Sequence, residues 1–168
     1  VCGIGDTVAR LAGLASAMLM AERTAMNLIG HLSGIATATR RLVDAAAGRV
    51  EIADTRRTLP LLRALEQYAV RVGGGTNGRF TLDEGIVLEA GHVRMAGSVA
   101  AAVARARAAR PDLPVEVEVT TLEEVEAAVA AGATVLTVRQ ASLAHVRAAA
   151  SRCGQAVRVR AAGRFGAG

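Results

Sequence analysis

Lysine is absent from this chain: all 20 basic side chains among its 168 residues are arginines. That absence removes a Walker-type phosphate loop, a kinase lysine and a Schiff-base lysine from consideration. Aromatic residues are almost missing as well, with two Phe, one Tyr and no Trp. Little is therefore available to stack on bases, and the arginines are scattered along the chain, which argues against a nucleic-acid partner. The only cysteines, Cys2 and Cys153, stand near opposite ends with no ligand spacing. They read as reduced thiols in a cytoplasmic protein. No apolar run approaches the ~20 residues of a membrane span, so no membrane partner is expected. Arg10 followed by Leu11 to Ala21 faintly mimics a secretory signal, but no Met-led basic start precedes it and Glu22 follows at once. The first residue is Val1, not Met, which reads as a fragment or a truncated form.

What is present allows one domain with a real core, since 52% of residues are hydrophobic. The length is short for a complete (β/α)8 barrel, which takes roughly 200 residues or more. A formal net charge of +5 points to anionic partners, and a small polyanionic substrate fits better than nucleic acid.

The chain is organised around residues 21–41. Apolar residues recur at 25, 28, 29, 32, 35 and 36, and again at 42 and 43, the spacing of a helix. The same helix carries Glu22, Arg23, Asn27, His31 and Ser33, together with Gly30 and Gly34. Each glycine costs roughly 1 kcal/mol against Ala in a helix interior. Small residues four apart would let another backbone or a ligand come close; a tightly packed helix with polar edges is the other reading.

Around that helix, residues 1–8 read as a loop turning at Gly3, Gly5 and Asp6, and residues 9–20 as a separate, mostly buried helix. The long helix runs from 21 to 46 and stops at Gly48. Strand–helix alternation follows: a strand at 50–53, a helix from Pro60 to Val72 halted by Gly73-Gly74-Gly75, and strands at 79–82 and 85–88. Next come a helix at 98–110, a strand at 115–119, a helix capped by Thr120 or Thr121 and running to 131, a strand at 134–138, a helix at 142–153 and a strand at 156–161. Such alternation means right-handed βαβ units and a parallel sheet, and Val-rich strands suit a sheet covered on both faces.

In such folds the reacting groups sit beyond the carboxyl ends of the strands. Those positions are Asp54, Arg56 and Arg57; Glu89 and His92; Glu118 and Thr120; Arg139 and Gln140; Ala162 and Gly163. Solvated strand ends are the plain alternative for any one of them. The run Asp54-Thr55-Arg56-Arg57-Thr58 stands out, because two adjacent arginines offer up to ten N–H donors in forks that match carboxylate or phosphate.

Several segments together resemble the quinolinate phosphoribosyltransferase family, also called carboxylating nicotinate-nucleotide pyrophosphorylase. They are Glu22-Arg23-Thr24-Ala25-Met26-Asn27, His31-Leu32-Ser33-Gly34-Ile35-Ala36-Thr37, Asp54-Thr55-Arg56-Arg57-Thr58-Leu59-Pro60, Leu62-Arg63-Ala64-Leu65-Glu66-Gln67-Tyr68-Ala69-Val70 and Gly73-Gly74-Gly75. The similarity continues through Ala96-Gly97-Ser98 and Pro114-Val115-Glu116-Val117-Glu118-Val119. The fold so implied is α/β: an open, incomplete (β/α) barrel of mostly parallel strands, preceded by the helical tail of an N-terminal sandwich domain. Residues 1–20 would be the remnant of that domain, and residues 21–168 the partial barrel.

The resemblance also implies a reaction. A phosphoribosyl group passes from phosphoribosyl pyrophosphate to the ring nitrogen of quinolinate, giving nicotinate mononucleotide, CO2 and pyrophosphate in NAD biosynthesis. It implies Mg2+ and a homodimer or larger homo-oligomer. By position, Arg23, Arg56, Arg57, Arg79 and His92 match substrate-binding positions, with Arg23 reaching a neighbouring subunit's site. Glu118 and Arg57 match catalytic positions, Glu118 a metal-linked one, and Gly163 a phosphate-binding one. Gly78, Glu89, Arg139 and Arg164 replace the family's residues, and Arg57 stands where the family has Lys. An inactive or repurposed paralogue is the alternative reading: a partner subunit, an anion-binding module, or the pyrophosphorylase-like protein associated with molybdate transport. Arg23 is read in the first turn of its helix, and Glu89→Lys is expected to raise dicarboxylate affinity by removing a like charge.

Overall fold

The computed structural model describes residues 2–139 and 142–163. Gln140 and Arg164, named above, lie outside the described residues. The chain forms two compact units, one running to Gly78 and the other starting at Arg79.

The first unit is built on two helices. α1 (Ala15–Ala46) is continuous over 32 residues, where two helices meeting at residue 20 were expected. Nothing between Ala15 and Asn27 breaks a helix: the run is Ala, Ser, Met, Leu, Glu and Arg with one Thr, mostly good helix formers. Residues 9–14 stay outside it, with Leu14 extended at φ −64° and ψ 124°. The expected burial of residues 9–20 is not found, since Leu11, Leu14, Leu19 and Met20 are exposed. The covered stripe of α1 touches Met18 and Ala25 and becomes continuous from Leu28 through His31, Leu32, Ile35, Ala36, Thr39, Leu42 and Val43. That spacing puts one helix face against α2 (Arg63–Val72). The helix ends as expected, with Ala47 and Gly48 both left-handed, at φ 48° and 73°.

The close approach sought at Gly30 and Gly34 lies elsewhere. Nothing comes within 4 Å of a Cβ built on either glycine. A Cβ on Gly73 would instead lie 2.5 Å from the Ala36 carbonyl oxygen, and one on Gly75 would lie 2.8 Å from Thr39 Cγ2. The glycine run after α2 is what brings this backbone against α1. His31 Nε2 and Glu66 Oε1, 2.9 Å apart, fasten the two helices at the other end.

The strand expected at 50–53 is reduced to one parallel bridge, Ala53 with Thr76. Thr76 N donates to the Ile52 carbonyl at 2.8 Å, and Asp54 N to the Thr76 carbonyl at 3.1 Å. The ladder stops there because Asp54 turns its side chain onto the next amide, Gly78 N, at 2.7 Å. The helix expected from Pro60 starts three residues later, since Leu61 takes φ 66° and closes a turn first.

The second unit is a four-stranded parallel sheet in the order β1 (Ile86–Leu88), β2 (Val115–Val119), β3 (Val135–Arg139), β4 (Arg158–Ala162). Between them run α3 (Ala90–Ala96), α4 (Val99–Ala109), α5 (Leu122–Ala130) and α6 (Leu143–Cys153). The strand order advances in one direction, without the reversal of a doubly wound sheet. Ser98, Thr121 and Ser142 cap α4, α5 and α6 by accepting the amides of Ala101, Glu124 and His145. The core is Val103, Val115, Val117, Val119, Val125, Leu136 and Val138, all fully buried.

Two features depart from expectation. β2 alternates: its valines are buried, while Glu116 and Glu118 stand half-buried on the opposite face. Only one face of this strand is apolar. Residues 79–82 form no strand; Phe80 N donates to the Glu84 carboxylate at 2.8 Å and Thr81 N at 3.3 Å, which curls the segment into a turn. Among the described residues no helix is long and apolar enough to cross a membrane.

Candidate active site

In the first unit the arginine turn hangs between the Ala53 bridge and α2. Arg57 N donates to Thr55 Oγ1 at 3.3 Å, and Thr58 N to the Arg56 carbonyl at 3.1 Å. Arg57 is exposed and Arg56 half-buried. Buried nitrogens without a hydrogen-bond partner among the described residues include Arg56 Nε, Arg63 Nε and Gln67 Nε2. Gln67 as a whole is only 2% exposed. Donors shut away from water without an acceptor are costly, and the forked N–H groups of the neighbouring arginines suit an anion. Arg63 and Gln67 were not singled out from the sequence. Their signal is their i,i+4 spacing on the same helix that follows the arginine turn.

Arg23 lies in the third turn of α1, because the helix begins at Ala15. It is therefore not in the first turn, where it was expected, and lies beyond the reach of the positive end of the helix dipole. It is exposed, and with Leu19, Glu22, Met26 and Asn27 it lines a shallow hollow of about 340 Å³ on one face of the helix.

In the second unit Arg79 is half-buried and donates through Nη1 to the Gly85 carbonyl. His92 belongs to the start of α3, a helix not expected from the sequence. Its Nδ1 accepts the Glu89 amide at 3.0 Å. In the neutral ring that bond leaves Nε2 as the donor. Glu89 is the N-cap residue of α3, where the dipole favours an anion. Glu89→Lys therefore has a cost that the sequence did not reveal. It should destabilise the second unit by about 1 kcal/mol, checked as a lowered midpoint in urea unfolding, whatever it does for dicarboxylate affinity.

At the carboxyl ends of β2 and β3, Arg139 Nη1 holds Glu118 Oε1 at 2.8 Å. One step inward on the same face, Glu116 receives Thr137 Oγ1 at 2.6 Å and Arg160 Nη1 at 2.8 Å. The Glu residues of β2 are thus paired across the sheet with the arginines of β3 and β4. Thr120 gives its amide and hydroxyl to Glu124. Ala162 closes β4 and Gly163 follows it, exposed. Among the described residues no three His, Cys, Asp or Glu gather as metal ligands. With Glu118 carrying an arginine, the side chains do not fit a metal held by the protein itself.

A one-directional parallel α/β sheet thus carries charged groups at its strand ends, in a chain that also has paired arginines on a turn. Residues 35–165 match the model of the quinolinate phosphoribosyl transferase C-terminal domain, and the chain belongs to that family. Among named relatives, the carboxylating nicotinate-nucleotide pyrophosphorylase of Mycobacterium leprae is 49% identical over 127 residues, covering 75% of this chain and 45% of that protein. The probable enzyme of the same name from Bacillus subtilis is 47% identical over 134 residues, covering 79% and 46%. Among solved structures, NadC from Streptococcus pyogenes superposes with a TM-score of 0.86 at 41% identity, over 92% of this chain and 55% of that one. The nicotinate-nucleotide pyrophosphorylase from Francisella tularensis gives 0.84 at 37% identity, over 90% and 54%. The chain thus spans about half the length of the curated relatives it matches.

Proposed function

We propose that this chain serves the reaction for which its relatives are named, acting on quinolinate and phosphoribosyl pyrophosphate in the cytoplasm. The ring nitrogen of quinolinate bonds to the ribose carbon as the bond to pyrophosphate breaks. The carboxylate next to that nitrogen leaves as CO2, and a proton takes its place. Arg56, Arg57 and Arg79 would hold the two carboxylates, His92 would donate through Nε2, and Arg23 would come from a second copy of the chain. Glu118 would stand beside the developing positive charge on the ribose, and Gly163 would bring its backbone to the phosphate. Mg2+ would enter this reading as a companion of the donor's diphosphate.

The remaining structural expectations stay with this proposal. The four strands would be part of an open barrel, and residues 1–20 the remnant of a preceding domain. That division falls inside α1, so both parts would share one helix. The chain would work as a homodimer, with Gly30 and Gly34, open in this chain, free for contact with the second copy.

The observation that carries the reading is the arginine turn, where Arg56 Nε is buried without a partner among the described residues and Arg57 is exposed beside it. The phosphate side is more altered, with Arg139 committed to Glu118. Isothermal titration should therefore show quinolinate binding more tightly than phosphoribosyl pyrophosphate. Equal or tighter binding of the donor contradicts the proposal.

A further inference from the structure

Asp54 precedes the paired arginines by two residues and carries no role in the reading above. Its carboxylate is fully used. Oδ1 accepts Gly78 N at 2.7 Å, and Oδ2 accepts Asn77 Nδ2. Asn77 is saturated in turn: its Nδ2 also donates to the Gln67 carbonyl at 3.0 Å, and its Oδ1 accepts Arg71 Nη1 at 2.7 Å. One side-chain amide thereby ties together the turn, the third residue of the 75–77 run and two successive turns of α2. Both Asp54 and Asn77 are half-buried, so these bonds compete poorly with water only at their edges.

Below this lock the backbone is wedged. A Cβ on Gly75 would meet Thr39, Val70 and the Ile52 carbonyl at 3.0 Å or less, so residues 75–77 cannot slide toward α1. The bridge at Ala53–Thr76 fixes register on the other side. Beyond Asp54, among the described residues, the turn has two internal bonds, at 3.3 and 3.1 Å, and the next amide, Leu59 N, reaches the Glu66 carboxylate at 3.4 Å. The shorter bonds are at the Asp54 end, so the direction in which Arg56 and Arg57 leave the fold is set chiefly there.

We propose that Asp54 and Asn77 are positioning residues for the arginine turn, holding Arg56 and Arg57 at a fixed angle for an anion that neither Asp54 nor Asn77 touches. What the turn binds rests on the dicarboxylate reading; what holds the turn does not. An aspartate two residues from a dianion site is otherwise unfavourable, and its engagement with two donors is what screens that charge.

The test uses the whole chain and the variants Asp54→Ala, Asp54→Asn and the exchange Asp54→Asn with Asn77→Asp. Hydrogen exchange by mass spectrometry reads the turn, and isothermal titration with quinolinate reads affinity. In Asp54→Ala the peptide spanning residues 54–58 should exchange about tenfold faster than in the parent chain, while peptides from β2 and β3 stay unchanged. Asp54→Asn should weaken quinolinate about tenfold. The double exchange restores an amide facing a carboxylate and keeps net charge, but it loses the donation from residue 77 to the Gln67 carbonyl, so it should recover affinity in part, above the level of Asp54→Asn alone.

Unchanged exchange at residues 54–58 in Asp54→Ala overturns the positioning role, whether or not quinolinate binds. A double exchange that recovers melting temperature but not affinity also overturns it, leaving a purely structural lock. If the parent chain binds no quinolinate while Asp54→Ala still loosens the turn, the dicarboxylate reading fails and the positioning role stands.

Discussion

Gly73→Ala is expected to be among the most damaging single-methyl changes in the first unit, lowering stability by about 3 kcal/mol, at the upper end of overpacking costs. The backbone at Gly73 has φ −69° and ψ −8°, which any residue adopts, so the loss is one of space alone. The new methyl would sit 2.5 Å from the Ala36 carbonyl oxygen and 2.7 Å from Thr39 Cβ. Both belong to the middle of a 32-residue helix, which cannot yield locally without breaking its own hydrogen bonds. Gly34→Ala is the matched opposite. It lies inside α1 with nothing within 4 Å, so the isolated chain should gain about 0.5–1 kcal/mol from better helix propensity. Thermal unfolding of both variants checks the pair. A harmless Gly73→Ala would mean that α2 and α1 are not packed as described.

The second large effect concerns sharing of the site between copies. Arg23→Ala and Arg56→Ala should each weaken quinolinate about ten- to a hundredfold, the loss of one charge-assisted bond of roughly 1.5–3 kcal/mol. Arg23 lies in the third turn of α1 on an exposed hollow, so the case rests on its reach toward a second copy and not on the dipole of its own helix. Mixing the two variants by unfolding and refolding gives hybrid dimers. In each hybrid one site has Arg56 from one chain and Arg23 from the other, which restores about a quarter of all sites under random pairing. Recovery of that fraction at near-parental affinity, read by titration, supports the shared site. A mixture no better than either variant, or a protein that stays monomeric at micromolar concentration, refutes it.

The second unit was legible in the sequence because its signals are local. β2 matched at both ends, and Ser98, Thr121 and Ser142 marked three helix starts by their own side chains. α3 was not, since Glu89-Ala90-Gly91-His92 looks like a strand end, and its cap is completed by a histidine side chain three residues on. The first unit was harder. Periodicity showed that α1 exists, but only tertiary packing shows that its covered stripe leaves Ile29 exposed and that Gly73, not Gly30, is the point of contact. The same limit hid the ion pairs: alternating Val and Glu in β2 implies a polar face, but which arginine meets which glutamate depends on strand register. The arginine turn was readable as a donor cluster. Its lock on Asn77 was not, because 23 residues separate the partners.

The most direct measurement is a comparison of quinolinate with nicotinate, the same ring bearing a single carboxylate, by isothermal titration against the whole chain and Arg56→Ala. If the paired arginines form a vicinal dicarboxylate site, quinolinate should bind at least about tenfold more tightly than nicotinate, and Arg56→Ala should abolish most of that preference. Equal affinity for the two acids, or a preference that survives in Arg56→Ala, would contradict the account.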